Sequence, residues 1–136
     1  MLVLDSNIIF SALIKDSSTR KIIIDSKEKF LFPEFIFQEA EKHMNILIKK
    51  SGMEIKHYTQ LLQLILRRVE FVPNSKLLKH KEESLRLTKN IDINDALFVA
   101  CALAYPGSAI WSDDKKLKKI KRMKVLNTKE IFQLYL

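Results

Sequence analysis

The chain has 136 residues, with 24 Lys and Arg against 16 Asp and Glu, for a formal net charge of +8. That length suits one domain over residues 1–136, and an apolar fraction of 47% supplies a core and excludes a disordered chain. A single cysteine, Cys101, excludes an internal disulfide, and no apolar run approaches the roughly 18 residues of a membrane span, so a soluble, cytoplasmic protein is expected.

Met1-Leu2-Val3-Leu4 is a short apolar run closed by Asp5, the pattern of a buried strand. Ser6 or Asn7 can cap the helix that follows to Ile14. A second helix is predicted over 19–29, with Ile22, Ile23 and Ile24 inward. Leu31-Phe32 reads as a strand before Pro33, which can open a helix. Ile36, Ala40, His43, Met44 and Leu47 then keep helical spacing to about residue 50. Ser51-Gly52 is a break, and an amphipathic helix over 54–68 carries Leu61, Leu62, Ile65 and Leu66 on its apolar side.

Glu70-Phe71-Val72-Pro73 is a brief strand, and Ser75 caps a helix to about residue 89. Asp92 or Asn94 starts a helix over 96–105 that is apolar on every face, which belongs in the interior. Pro106-Gly107 stops it. Ala109-Ile110-Trp111 is a strand running into Ser112-Asp113-Asp114. A short basic helix over 115–122, the pair Val125-Leu126 and a last helix from Thr128 complete the chain. Strands alternating with helices predict an α/β fold: a central parallel sheet of about four or five short strands between helical layers.

Asp5 and the Asp113-Asp114 doublet each follow a predicted strand, and ligands of open α/β sheets bind outside the carboxyl ends of strands. Taken singly, each acid is well explained as a helix cap. Glu39 lies at the edge of its helix's apolar stripe, where a carboxylate needs a basic partner or a metal. Asp95 is in the first turn of the all-apolar helix, three residues after Asp92, which suits a cap. Together these acids have a joint explanation that separate capping lacks. Clustered carboxylates need cations, and an oxygen-rich set suits Mg²⁺ or Mn²⁺.

The charge is also local. Residues 1–114 carry 16 basic and 15 acidic groups, whereas 115–136 carry 8 basic groups and one acid, Glu130. Lys115, Lys116, Lys118 and Lys119 directly follow Asp114, where phosphate contacts would bind nucleic acid in a salt-sensitive way. Leu117 and Ile120 can dock this segment. No His or Cys has zinc-site spacing, and two glycines in the whole chain argue against a phosphate loop.

Four segments carry a resemblance. Leu4-Asp5-Ser6-Asn7-Ile8-Ile9, the Pro33-Glu34-Phe35-Ile36-Phe37-Gln38-Glu39 run, the alanine-rich helix opening at Asp95, and Ser112-Asp113-Asp114 resemble, in order, the motifs of the PIN domain. That family is a metal-dependent ribonuclease fold that includes the VapC-like toxins of toxin–antitoxin pairs. The resemblance spans nearly the whole chain. It implies a three-layer α/β/α domain that hydrolyses single-stranded RNA with a metal-activated water. It also implies Asp5, Glu39 and Asp95 as principal Mg²⁺ or Mn²⁺ ligands, supported by Asp114, with Asn7 and Ser112 orienting ligands or water.

The doublet leaves Asp113 as an alternative fourth ligand, and Asp92 stands beside Asp95 as a second candidate. In the toxin branch, the implied partner is an antitoxin that buries an apolar groove and inserts a basic side chain among the acids. The helix over 54–68 is a candidate surface for that partner or for a homodimer. The alternative is a catalytically silent PIN-like module that binds RNA or protein. A receiver-like signalling domain fits poorly, because no lone phosphoacceptor Asp stands on a middle strand.

Overall fold

The computed structural model describes residues 1–14 and 18–135. Five short strands, β1 Leu2–Leu4, β2 Phe30–Pro33, β3 Val69–Val72, β4 Ala109–Trp111 and β5 Lys124–Leu126, form one sheet in the order β3-β2-β1-β4-β5. Every pairing is parallel. All residues of β1, β2 and β4 are buried, so these runs are apolar without alternation, as strands covered on both faces are.

From β1 the chain passes through α1 Ser6–Ile14 and α2 Ser18–Asp25 to β2, then through α3 Glu34–Glu41, α4 Met44–Ser51 and α5 Ile55–Leu66 to β3. It returns across the sheet to β4 through α6 Asn74–Leu77, α7 Lys81–Thr88 and α8 Ala96–Ala104. Parallel crossovers are right-handed, so connections running in opposite directions cover opposite faces. The packing agrees: α1 meets α2, α4 and α5, whereas α8 meets α6, α7 and the central strands. A final helix, α9 Thr128–Tyr135, lies against α2. As its composition predicts, α8 is interior, with Phe98 through Ala102 buried.

Several elements depart from expectation. The helix expected from Pro33 to about residue 50 is two helices, with a turn at Lys42-His43 where the His43 N–H donates to Ala40 O at 2.9 Å. Its apolar halves serve different neighbours, since α3 lies against β2 and α4 against α1 and α5. Pro33 ends β2 rather than opening α3. Ser75 sits inside α6, and the helix expected from it to about residue 89 is interrupted by a 3-10 turn at Leu78–His80. The basic helix expected over 115–122 is a single 3-10 turn, Leu117–Lys119. Lysines three and four apart repel along a helix, and a 3-10 turn aligns positions i and i+3, so Leu117 and Ile120 both enter the core.

The helix expected over 19–29 stops at Asp25, for a reason distant in sequence. The Arg68 guanidinium, just before β3, donates to Ile23 O at 3.1 Å, to Ser26 O, and to Glu28 O at 3.0 Å. It thereby satisfies carbonyls that a longer helix would have used internally. Replacing Arg68 with Met keeps much of its bulk and leaves these carbonyls without their donor. We expect Arg68→Met to lower unfolding free energy by about 2–3 kcal/mol in urea titrations, and an unchanged midpoint would remove this role.

Candidate functional site

The strand order reverses direction between β1 and β4, which pair side by side while their connections lead outward to β2 and β5. Crevices at such switch points, outside the carboxyl ends of the strands, are where α/β sheets bind ligands. Asp5 follows β1 and Ser112-Asp113-Asp114 follow β4. The Asp5 N–H donates to Trp111 O at 3.1 Å, and the Ser112 hydroxyl donates to Asp5 Oδ2 at 2.5 Å, which joins the two strand ends in the buried layer. Ser112 Oγ also accepts from the Asp114 N–H at 3.1 Å.

The amino end of α8 enters the same crevice. Asp92, Asp95 and Asp114 each offer a carboxylate oxygen within 4.8 Å of the others. Asp92 and Asp114 are oriented by short loops: Asp92 Oδ1 accepts from the Asn94 N–H at 3.0 Å, and Asp114 Oδ1 from the Lys116 N–H at 2.9 Å. Asp95 differs, since its Oδ2 is buried and has no hydrogen-bond partner among the described residues. Burial, then the charges of Asp5, Asp92 and Asp114 and a hydrogen-bonding approach of the Asp114 carboxyl that favours the protonated form, push its carboxyl up to about 6. A buried carboxylate oxygen without a donor, facing two further carboxylates, is costly in the protein alone and fits a hard divalent cation.

A family model for the PIN domain matches residues 3–133. The chain belongs to the PIN domain family. No curated protein and no solved structure matches it. PIN domains are generally metal-dependent nucleases, and the acidic group described above is compatible with metal binding.

The residues expected to act in this PIN domain fall into distinct places. Asp5 is buried with both oxygens engaged, Oδ2 by Ser112 and Oδ1 by the Asn7 N–H at 3.2 Å. Asp5, not Ser6 or Asn7, therefore caps α1. The Asn7 side chain is on the exposed side of that helix, so its backbone is what touches Asp5. Asp113 points elsewhere: its oxygens accept from the N–H and hydroxyl of Thr128, both at 2.7 Å, and fix the start of α9. Glu39 is exposed on α3 and accepts from Lys42 Nζ at 2.9 Å, outside the group of three. Cys101 is buried and its thiol is pushed up to about 12 by that burial, as an inert core residue.

Two further features flank the acids. An apolar groove of about 430 Å³ on the outer side of α8 is lined by Phe35, Leu77, Leu78, Leu85, Ile93 and Leu97. On the β4–β5 side lies a cleft of about 260 Å³ that includes Lys115, Lys118, Asn127 and Lys129. Helical and strand spacing gives no sign that Asn127 and Lys129 line this cleft, because the passage from β5 into α9 brings them there.

The raised Asp95 value sets a pH dependence. Between the ordinary 3.8 and about 6, the folded protein holds a proton that the unfolded chain has released. Stability from this group is therefore fullest at low pH and declines as pH rises through about 6. In EDTA, the wild-type melting temperature should fall more between pH 5 and pH 8 than that of Asp95→Asn. Mg²⁺ or Mn²⁺ should raise it at pH 8 in the wild type and much less in the variant. Parallel pH curves with equal metal responses would place Asp95 outside any metal site.

Proposed function

We propose that this PIN domain is a Mg²⁺- or Mn²⁺-dependent endoribonuclease that hydrolyses RNA phosphodiester bonds. The observation that carries the reading is the convergence of Asp92, Asp95 and Asp114 at the switch point, with Asp95 Oδ2 buried and without a hydrogen-bond partner among the described residues. Asp92, Asp95 and Asp114 would hold the cation, with Asp5 beside them. A divalent cation supplies charge neutralisation, a lowered pKa for water, and stabilisation of a leaving oxygen.

The chain's own residues do the positioning. Ser112 holds Asp5 and the Asp114 backbone in one arrangement, and the Lys116 N–H restrains the Asp114 carboxylate. Such supporting hydrogen bonds fix ligand orientation before substrate arrives. Glu39 would be a further ligand on the strength of the motif resemblance, and its exposed pair with Lys42 restrains it by no more than about 1 kcal/mol, so exchanging that partner is inexpensive. Lys115, Lys116, Lys118 and Lys119 draw the RNA backbone toward acids that would otherwise repel it.

Cleavage of single-stranded RNA should require Mg²⁺ or Mn²⁺ and stop with EDTA. Asp95→Asn should lower the rate at least a hundredfold, and Glu39→Gln at least tenfold. Metal-independent cleavage or a fully active Asp95→Asn would overturn the nuclease reading; a fully active Glu39→Gln would remove Glu39 alone. Salt-sensitive RNA binding without turnover under either metal would instead make the domain a silent binding module.

A toxin role with an antitoxin partner is the finer reading, supported by the apolar groove that adjoins the acids through Ile93 and Ala96. The outer side of α5, a helix that leaves Ile55 68% and Leu64 45% exposed, would join two copies. Light scattering should then give a dimer for the chain alone, and a larger complex with reduced cleavage once the product of an adjacent small reading frame is added. A monomer at all concentrations would remove the dimer, and unimpaired cleavage would remove the inhibitory partner.

A further inference from the structure

The geometry points to a discrete subsite for an RNA backbone phosphate in the cleft between the carboxyl-end loops of β4 and β5. The ligand class rests on the ribonuclease reading above, whereas the cleft rests on its own geometry. Its lining is Ser112, Asp113, Asp114, Lys115, Lys118, Asn127 and Lys129, around a volume of about 260 Å³. Sharing Ser112 and Asp114 with the acidic crevice, it begins where that crevice ends. A strand seated at the acids would therefore pass its next phosphate into it.

The donors suit phosphate. Lys115 and Lys129 have no ion-pair partner among the described residues and are exposed. Lys118 is restrained from below by Glu130, whose carboxylate also accepts from the Asn127 N–H at 3.1 Å. Asn127 Oδ1 is committed to the Glu130 N–H at 2.8 Å, so its amide nitrogen remains as a donor. No aromatic side chain lines the cleft, so it has no platform for a base. Both Asp113 oxygens are occupied by Thr128, which softens the repulsion an entering anion would meet.

This differs from a diffuse basic surface. Lys116, Lys119 and Lys121 belong to the same charged run, yet they lie outside the cleft. Position, not charge count, then governs affinity. The pair of variants Lys115→Ala/Lys129→Ala and Lys121→Ala/Lys124→Ala removes two charges in each case, from exposed side chains whose loss leaves the core intact.

Binding of a fluorescent ten-nucleotide single-stranded RNA is measured by anisotropy in EDTA across a salt series, with melting temperatures as a folding control. The cleft pair should lose about tenfold in affinity, and its log–log salt slope should become shallower by about 0.7, the release expected for one single-strand phosphate contact. The off-cleft pair should lose less than threefold. Equal losses in both pairs, or none in the cleft pair, would overturn the subsite. RNA cleavage assayed in parallel with Mg²⁺ separates the two readings. A cleft-specific loss in the variants together with a wild type that cleaves nothing would remove the nuclease and leave the phosphate subsite. A cleaving enzyme without that loss would do the reverse.

Discussion

The hydrogen bond from Ser112 to Asp5 joins the two strand ends between which the sheet reverses direction. Ser112 is 1% exposed and Asp5 7%, so the bond lies in a region of low dielectric where a missing donor would leave a carboxylate uncompensated. It does three things at once. It holds the ends of β1 and β4 together, occupies one Asp5 oxygen, and turns the chain so that the Asp114 N–H returns to the same hydroxyl. The crevice is shaped by this one serine, and the acids are arranged around it.

The same crevice carries an electrostatic cost that the fold does not relieve. Asp5 and Asp114 receive hydrogen bonds, and Asp92 is held by its own turn, but Asp95 enters from the start of α8 with one oxygen buried and unpartnered among the described residues. Its helix can afford no alternative position, since the next residues, Phe98 through Ala102, are committed to the core against the central strands. Packing of α8 thus forces a carboxylate into a place that favours its protonated form. Such local instability is the usual mark of a site whose geometry serves a ligand rather than the isolated chain.

Much of the fold was legible because buried parallel strands write themselves as short apolar runs, and α8 as an unbroken apolar helix. Asp5, Asp95 and Ser112-Asp113-Asp114 were legible too, as acids at the ends of such runs. What spacing could not show was decided between distant residues. Arg68 ends α2 from forty residues away, and the different neighbours of α3 and α4 break one periodic stripe into two helices. Thr128 selects between Asp113 and Asp114 by taking both oxygens of the first, which leaves the second for the crevice. Asp92, a cap by its pattern, is a cap in fact and still lends its carboxylate to the acidic group.

The net charge of +8 gains its meaning from this arrangement. A polyanion approaching the bare acids would be repelled, and a uniform positive surface would bind it without register. Here the positive charge follows immediately after Asp114, on a segment whose closely spaced like charges disfavour a regular helix. Leu117 and Ile120, 0% and 5% exposed, pin that segment to the core, while Asp113 and the Asn127–Glu130 cap pin the start of α9 beside it. Lysines on a free helix or tail would attract an anion from many directions. Lys115 and Lys118 after β4 and Lys129 in the first turn of α9, fixed this way, line one cleft, and that cleft shares Ser112 and Asp114 with the acidic crevice. Attraction and repulsion thereby adjoin at Ser112 and Asp114, the residues common to cleft and crevice, where neighbouring groups of one backbone would meet both.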